Sequence, residues 1–180
     1  MQNATKISKF LSLILRHKPE AIGIELDENG WTDVEGLLQK MNSNGLGVDM
    51  ALLEFVVDTN DKKRFCFNGD KTKIRASQGH SVSVDVELQL TVPPNVLYHG
   101  TAERFCESIM QSGLLKQSRN HVHLSADMDT AIAVGKRHGS PAVLKVDAGA
   151  MHKAGYEFYI SANNVWLTDG VPAEYLEKIK

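Results

Sequence analysis

Apolar residues at helical spacing open the chain. Ile7, Phe10, Leu11 and Ile14 fall on one face of a helix predicted over residues 6–16. Pro19 stops it, because the residue before a proline avoids the helical region. Residues 22–31 read as a short strand closed by the turn Asp27-Glu28-Asn29-Gly30. Thr32-Asp33-Val34-Glu35 has the form of a capping box opening a helix through Met41. Gly45 and Gly47 break the chain, and Asp49 caps a further helix bearing Leu52, Leu53, Phe55 and Val56. A β-hairpin follows: Arg64-Phe65-Cys66-Phe67, the turn Asn68-Gly69-Asp70, then Lys73-Ile74-Arg75-Ala76. Helix, strand, helix, helix, hairpin is the order of a winged-helix module. After Gln78-Gly79-His80-Ser81, apolar and polar residues alternate from Val82 to Leu90 as in a half-buried strand.

Pro93-Pro94 is the strongest punctuation, and it predicts a lobe boundary separating residues 1–92 from 93–180. Beyond it, Leu97-Tyr98-His99 alternates into Gly100, a residue that lets a ligand approach the backbone. Residues 103–112 read as a helix ended by Gly113. Val122 and Leu124 point to one face of a strand, and His121 and His123 to the other. Asp127 caps a helix over 128–138, ended by Gly139 and Pro141, and residues 142–146, 158–161 and 165–168 are short β-rich runs. The expected class is α+β: an N-terminal winged-helix lobe and a C-terminal lobe of short strands and few helices. The regular βα alternation and GxGxxG of a doubly wound dinucleotide fold are missing.

Composition is ordinary for a soluble protein, at 42% hydrophobic and 23% charged. The start of the sequence has no signal-peptide pattern, and no apolar run reaches membrane-span length. Cys66 and Cys106 have neither metal nor CxxC spacing, so two reduced thiols in a cytoplasmic protein are expected. A net charge of −2 argues against a tight, sequence-blind nucleic-acid binder. If RNA is the partner, cations act locally, on one or a few phosphates.

Three features concentrate chemistry. Arg16-His17-Lys18 crowds a helix C-terminus, where cations also simply complement the dipole. The hairpin carries Lys62, Lys63, Arg64, Lys71, Lys73 and Arg75 against Asp61 and Asp70. His99, His121 and His123 have the spacing of a three-histidine metal site, but no acidic partner accompanies them and no metal is expected. No nucleophile elbow and no Walker loop is present. What remains is a set of arginines (Arg16, Arg64, Arg75, Arg119) and histidines in a near-neutral chain. A phosphate monoester is a dianion that wants several bidentate guanidinium donors, which separate lobes can bring to one group.

Six stretches in one order carry a resemblance: Leu13-Ile14-Leu15-Arg16-His17-Lys18-Pro19, Asn29-Gly30-Trp31, Lys63-Arg64-Phe65, Ile74-Arg75-Ala76-x-Gln78-Gly79-His80-Ser81, Leu97-Tyr98-His99-Gly100-Thr101, and Arg119-x-His121-Val122-His123-Leu124-Ser125. Together they resemble the NAD-dependent RNA 2'-phosphotransferase (KptA-like) family, over nearly the whole chain. The resemblance implies a winged-helix RNA lobe, an ADP-ribosyltransferase-like NAD lobe, and removal of an internal 2'-phosphate from RNA, typically at a tRNA splice junction. It implies attack of that phosphate on the ribose C1″ of NAD with loss of nicotinamide. The 2″-hydroxyl then attacks phosphorus, releasing ADP-ribose 1″,2″-cyclic phosphate. Arg16, His17, Arg64 and Arg119 match the family's catalytic set; Arg75 and His80 join them as ligands of the RNA or its phosphate. Tyr98, His99, Gly100, Thr101, His123, Ser125 and Arg137 are the expected NAD contacts.

A monomer is expected, with NAD consumed as co-substrate and no membrane partner. The rival enzyme reading is ADP-ribosyl transfer to another phosphate or a protein acceptor; the latter normally uses a late-strand glutamate, and only Glu157 is near. A winged-helix transcription factor is disfavoured because residues 50–58 carry no Lys or Arg.

Overall fold

Short apolar periods built the expectation of many small elements, and the computed structural model, which describes residues 2–60 and 62–179, contains them. Asp61 of the basic hairpin region lies outside the described residues, as do Met1 and Lys180. Among the described residues, six α-helices and several small sheets give a mixed α/β chain dividing into two compact units, residues 1–87 and 88–180. No helix among them is long and apolar enough to cross a membrane.

In the first unit, helix α1 (Gln2–Arg16) buries Ile7, Leu11, Ile14 and Leu15 completely. The expected strand over residues 22–31 is absent. A 3₁₀ turn, Pro19–Ala21, leads into loops in which the Asp27 carboxylate accepts from the amides of Asn29 (3.1 Å) and Trp31 (2.9 Å). A side chain that satisfies its own backbone in this way removes the incentive for a ladder. The strand β1 is only Thr32–Asp33. Asp33, and not Thr32, caps α2 (Val34–Ser43), its Oδ2 accepting from Gly36 N at 2.6 Å. Thr32 is instead buried in the sheet opposite Ile74.

Asp49 caps α3 (Met50–Asp58) as expected, accepting from Leu52 N at 2.8 Å. Strands β2 (Phe65–Phe67) and β3 (Lys73–Ala76) form the hairpin, and the antiparallel order is β1-β3-β2. The three helices and this sheet enclose Leu37, Met41, Leu53, Phe65 and Ile74. Residues 82–88 keep the expected alternation of exposure without forming a strand. Asp85 N bonds Glu28 O, Glu87 N bonds the Asp85 carboxylate, and Glu87 turns to φ +54°. Only β4 (Gln89–Leu90) pairs, and its partner lies in the second unit, so the division falls ahead of Pro93-Pro94.

The second unit continues with β5 (Leu97–Ala102), a 3₁₀ turn Glu103–Phe105, α4 (Cys106–Ser112), β6 (Leu114–Leu115), β7 (Val122–Leu124) and α5 (Met128–Gly135). Then come β8 (Pro141–Val146), α6 (Ala148–Lys153), β9 (Tyr159–Ile160), β10 (Trp166–Thr168), β11 (Gly170–Val171) and β12 (Leu176–Lys178). The sheets are β12-β8-β5, β4-β9-β10-β7 and the pair β11-β6. Leu97, Leu124, Leu144 and Phe158 anchor their shared core.

Gly113, at φ +80°, ends α4 where expected. Helix α5 is shorter than its apolar pattern: Arg137 N and His138 N bond the carbonyls three residues back, at 3.1 and 2.9 Å, so both side chains leave from a tightened turn. Helix α6, capped by the Asp147 carboxylate at 2.9 Å from Ala150 N, is too short to leave a periodic signal.

The glycine at position 100 has a different reason from the one expected. A Cβ there would overlap the carbonyl of Ala131, so its missing side chain admits α5. Gly135 answers from the helix, where a Cβ would lie 2.6 Å from Thr101 O. Gly100→Ala is expected to destabilise the protein toward the top of the roughly 1–3 kcal/mol range for overpacking. Urea unfolding checks this, and an unchanged midpoint contradicts the packing described.

Candidate active site

An α-helix leaves its last carbonyls without intrahelical partners. At the end of α1 the Arg16 carbonyl is taken by Ser81 N at 2.9 Å, with Ser81 Oγ 3.5 Å away. The segment after the hairpin therefore closes the helix that carries Arg16 and His17. The same hydroxyl lies 2.9 Å from His17 Nδ1. With the Arg16 carbonyl taking the hydroxyl proton, Ser81 Oγ accepts Nδ1–H, and Nε2 carries the ring's lone pair.

The Arg16 guanidinium lies 6.0 Å from the Phe65 ring centroid, and its Nη2 reaches the Arg64 carbonyl at 3.5 Å. That carbonyl also accepts from Ser77 N at 2.8 Å. Arg64 leaves a tight turn in which Lys63 adopts φ +40° and Lys63 N bonds Asn60 O at 2.7 Å. The Arg16 guanidinium, the His17 imidazole and the Arg64 backbone are thus tied to one end of α1.

Arg75 and His80 are placed differently from these three. The Arg75 guanidinium lies 4.3 Å from the Trp31 ring centroid, and its Nη1 donates to Asn29 O (3.2 Å) and the Glu87 carboxylate (3.0 Å). Only 14% of its side chain is exposed, so its charge is spent within the unit. His80 is 2% exposed, and its Nε2 has no hydrogen-bond partner among the described residues. Burial, reinforced by the charges of Arg16, His17 and Arg75, pulls its pKa down to about 4. The imidazole is thus neutral and enclosed within the unit.

In the second unit, Tyr98 exchanges backbone bonds with Ser125, N to O at 2.9 and 2.8 Å, while β5 pairs with β8 along its other edge. Backbone polar groups alternate sides along a strand. Those of Gly100 therefore point to the Ser125 edge, where the partner chain continues only as β7. His99 Nδ1 lies 3.0 Å from the His123 carbonyl. A carbonyl only accepts, so Nδ1 carries the proton and Nε2 is an acceptor. Burial lowers the His99 pKa against the opposing effect of that bond, and the Arg119 charge lowers it further, keeping the ring neutral.

His123 leaves β7 on the face opposite the buried Val122 and Leu124, as the alternation requires. His121 precedes the strand and meets Tyr159 edge-on, with centroids 5.7 Å apart. Thr101 is buried at 7% exposure, whereas Arg119 and Arg137 are exposed. Glu157 accepts the Tyr159 hydroxyl at 2.7 Å. No group of three or more metal-ligating side chains occurs among the described residues.

Sequence reasoning passed over the supports: Ser81 under His17, Asn60 under Arg64, and Trp31 under Arg75. Ser81 and Trp31 sit within the motif stretches, so their signal was position beside an arginine or histidine. Asn60 gave none, since its contacts come from a turn and a distant helix.

A family model described as "RNA 2'-phosphotransferase, Tpt1 / KptA family" matches residues 2–170. A Flavobacterium johnsoniae protein named probable RNA 2'-phosphotransferase is 59% identical over 174 residues, covering 97% of this chain and 96% of its own. A likewise named protein of Fusobacterium nucleatum subsp. nucleatum is 52% identical over 178 residues, 98% of this chain and 99% of its own. Another, from Hahella chejuensis, is 53% identical over 169 residues, with 94% and 91% covered.

The buried His80 also sets a pH dependence. Its folded pKa near 4 lies below the ordinary 6.5, so the unfolded chain binds the proton first. Its neutral form contributes nothing to the slope above pH 6.5, and stability is lost as pH falls from 6.5 toward 4, by up to about 3 kcal/mol. Thermal unfolding from pH 7.5 to 4 is expected to show a shallower decline for His80→Asn than for wild type. Parallel curves contradict it.

Proposed function

Because the chain belongs to the RNA 2'-phosphotransferase family, a transferase family acting on the 2'-phosphate of RNA, we propose that it transfers that phosphate to NAD. The observation that carries this reading is the tie of Arg16, His17 and Arg64 to the closed end of α1. Their two guanidiniums and one imidazole suit one ribose-borne dianion. Helix, strand, helix, helix, hairpin, with sheet order β1-β3-β2, supports reading residues 1–87 as a winged-helix lobe. The absence of Lys and Arg from α3 argues that it recognises a local phosphate and not a DNA groove.

The second unit suits a neutral, polar cofactor. His99 offers an acceptor nitrogen that fits a ribose hydroxyl, and the Gly100 amide and carbonyl fit a carboxamide. Tyr98, Thr101, His123 and Ser125 are the neighbouring contacts in this reading, and Arg137 is the candidate for the pyrophosphate. NAD supplies an electrophilic ribose carbon with nicotinamide as leaving group, and an ADP-ribosylated 2'-phosphate links the two steps. The protein's share of the first step is to hold the dianion in line. In the second, Arg16, Arg64 and Arg119 stabilise charge developing on the phosphoryl oxygens, and His17 Nε2 moves a proton. A tRNA splice junction is the natural setting for such a phosphate. ADP-ribosyl transfer to protein has weaker support, since Glu157 is occupied by Tyr159.

Arg16→Ala, Arg64→Ala and Arg119→Ala are each expected to fold and to lose about 2–4 kcal/mol of transition-state stabilisation, roughly 30- to 900-fold in rate. Turnover of an RNA oligonucleotide bearing one internal 2'-phosphate measures it. Nicotinamide release is expected only with that RNA; equal release with the unmodified oligonucleotide overturns the proposal. Wild-type turnover in two of the three variants removes the mechanism.

A further inference from the structure

We infer that Asn60 is a positioning residue for the reaction: it aims Arg64 through a neutral oxygen, so that the guanidinium keeps its whole charge for the phosphate. The inference rests on the reading of Arg64 as a phosphate ligand. Asn60 follows the end of α3 and is 8% exposed. Its Oδ1 accepts twice from Arg64, from the backbone N and from Nη1, both at 3.3 Å. Its Nδ2 donates to Ser8 Oγ on α1 at 3.1 Å. The orientation of the amide is fixed by its neighbours, because both Arg64 groups can only donate. One buried side chain thus ties the root and the tip of Arg64 to the helix that carries Arg16 and His17.

The chemistry of the acceptor matters as much as its place. A carboxylate at this position would bind Arg64 more strongly, through a charge-assisted pair. It would also cancel the charge that attracts the RNA phosphate and repel that dianion at short range. Arg75 shows the alternative within the same unit: held by Glu87 and lying over Trp31, it is fixed but internally neutralised. Among the described residues no carboxylate pairs with Arg64. An amide oxygen orients without neutralising, which is what a ligand for a multiply charged anion needs.

Asn60→Asp separates the two functions of the side chain. It keeps two acceptors for Arg64, and the Ser8 hydroxyl can turn to donate, so the fold is preserved while the charge is cancelled. Asn60→Asp and Asn60→Ala, alone and combined with Arg64→Ala, are compared in steady-state turnover of the 2'-phosphorylated oligonucleotide with NAD, together with thermal unfolding. Asn60→Asp is expected to unfold within a few degrees of wild type. Its kcat/KM for the RNA is expected to fall about tenfold or more, with the KM for NAD unchanged. In the Arg64→Ala background neither substitution is expected to change the residual rate by more than about twofold, since the role runs through Arg64. Wild-type turnover by Asn60→Asp, or the same loss in both backgrounds, overturns the inference. If Asn60→Ala fails to fold, the Asn60→Asp pair decides alone. A wild-type protein inert toward this RNA and NAD overturns the functional reading, and the inference with it; an active wild type with active variants overturns the inference only.

Discussion

The bond from Ser81 N to the Arg16 carbonyl, 2.9 Å long, is the constraint on which the first unit's chemistry depends. A helix that stops at a proline leaves carbonyls to be satisfied, and cations gather there because the dipole favours them. Here the satisfaction comes from a segment far along the chain, and the residue that provides it also holds His17. Closing the helix and fixing the imidazole are therefore one event. His80, next to Ser81, is enclosed and kept neutral, so the segment docks without adding a second positive charge beneath Arg16.

A different constraint governs the second unit. Helix α5 lies so close to β5 that two glycines, one in each element, are required. That approach covers one face of the strand, and the β8 ladder covers one edge. His99 leaves on the face away from Gly100's missing Cβ, and the Gly100 amide and carbonyl turn to the opposite edge. The strand so covered carries the neutral His99 ring, whose Nε2 is an acceptor.

Much of this was legible before any coordinates. Elements whose signal is local appeared where expected: the Asp49 and Asp127 caps, the hairpin at residues 65–76, and the Gly113 stop. Failures came where a side chain outbid the ladder. Asp27 consumed the backbone bonds that a strand over residues 22–31 needed, and Asp33 displaced Thr32 as a cap. The motif stretches were readable, but what holds each of their side chains was not. Nothing in the sequence distinguishes Arg64, held by an amide, from Arg75, held by a carboxylate. The difference comes from which distant residue the fold delivers: Asn60 to one, Glu87 to the other. The reason for Gly100 was likewise hidden, because the helix that needs its space begins beyond it in the chain.

The central claim is the proposal that the first unit recognises one ribose-borne phosphate dianion through Arg16, His17 and Arg64. Its most direct test is binding of the full chain, without NAD, to two RNA oligonucleotides that differ only in one internal 2'-phosphate or 2'-hydroxyl. The phosphorylated strand is expected to bind at least about tenfold more tightly at moderate salt, since charge-assisted guanidinium contacts are the strong ones. Equal affinity for the two strands contradicts the account.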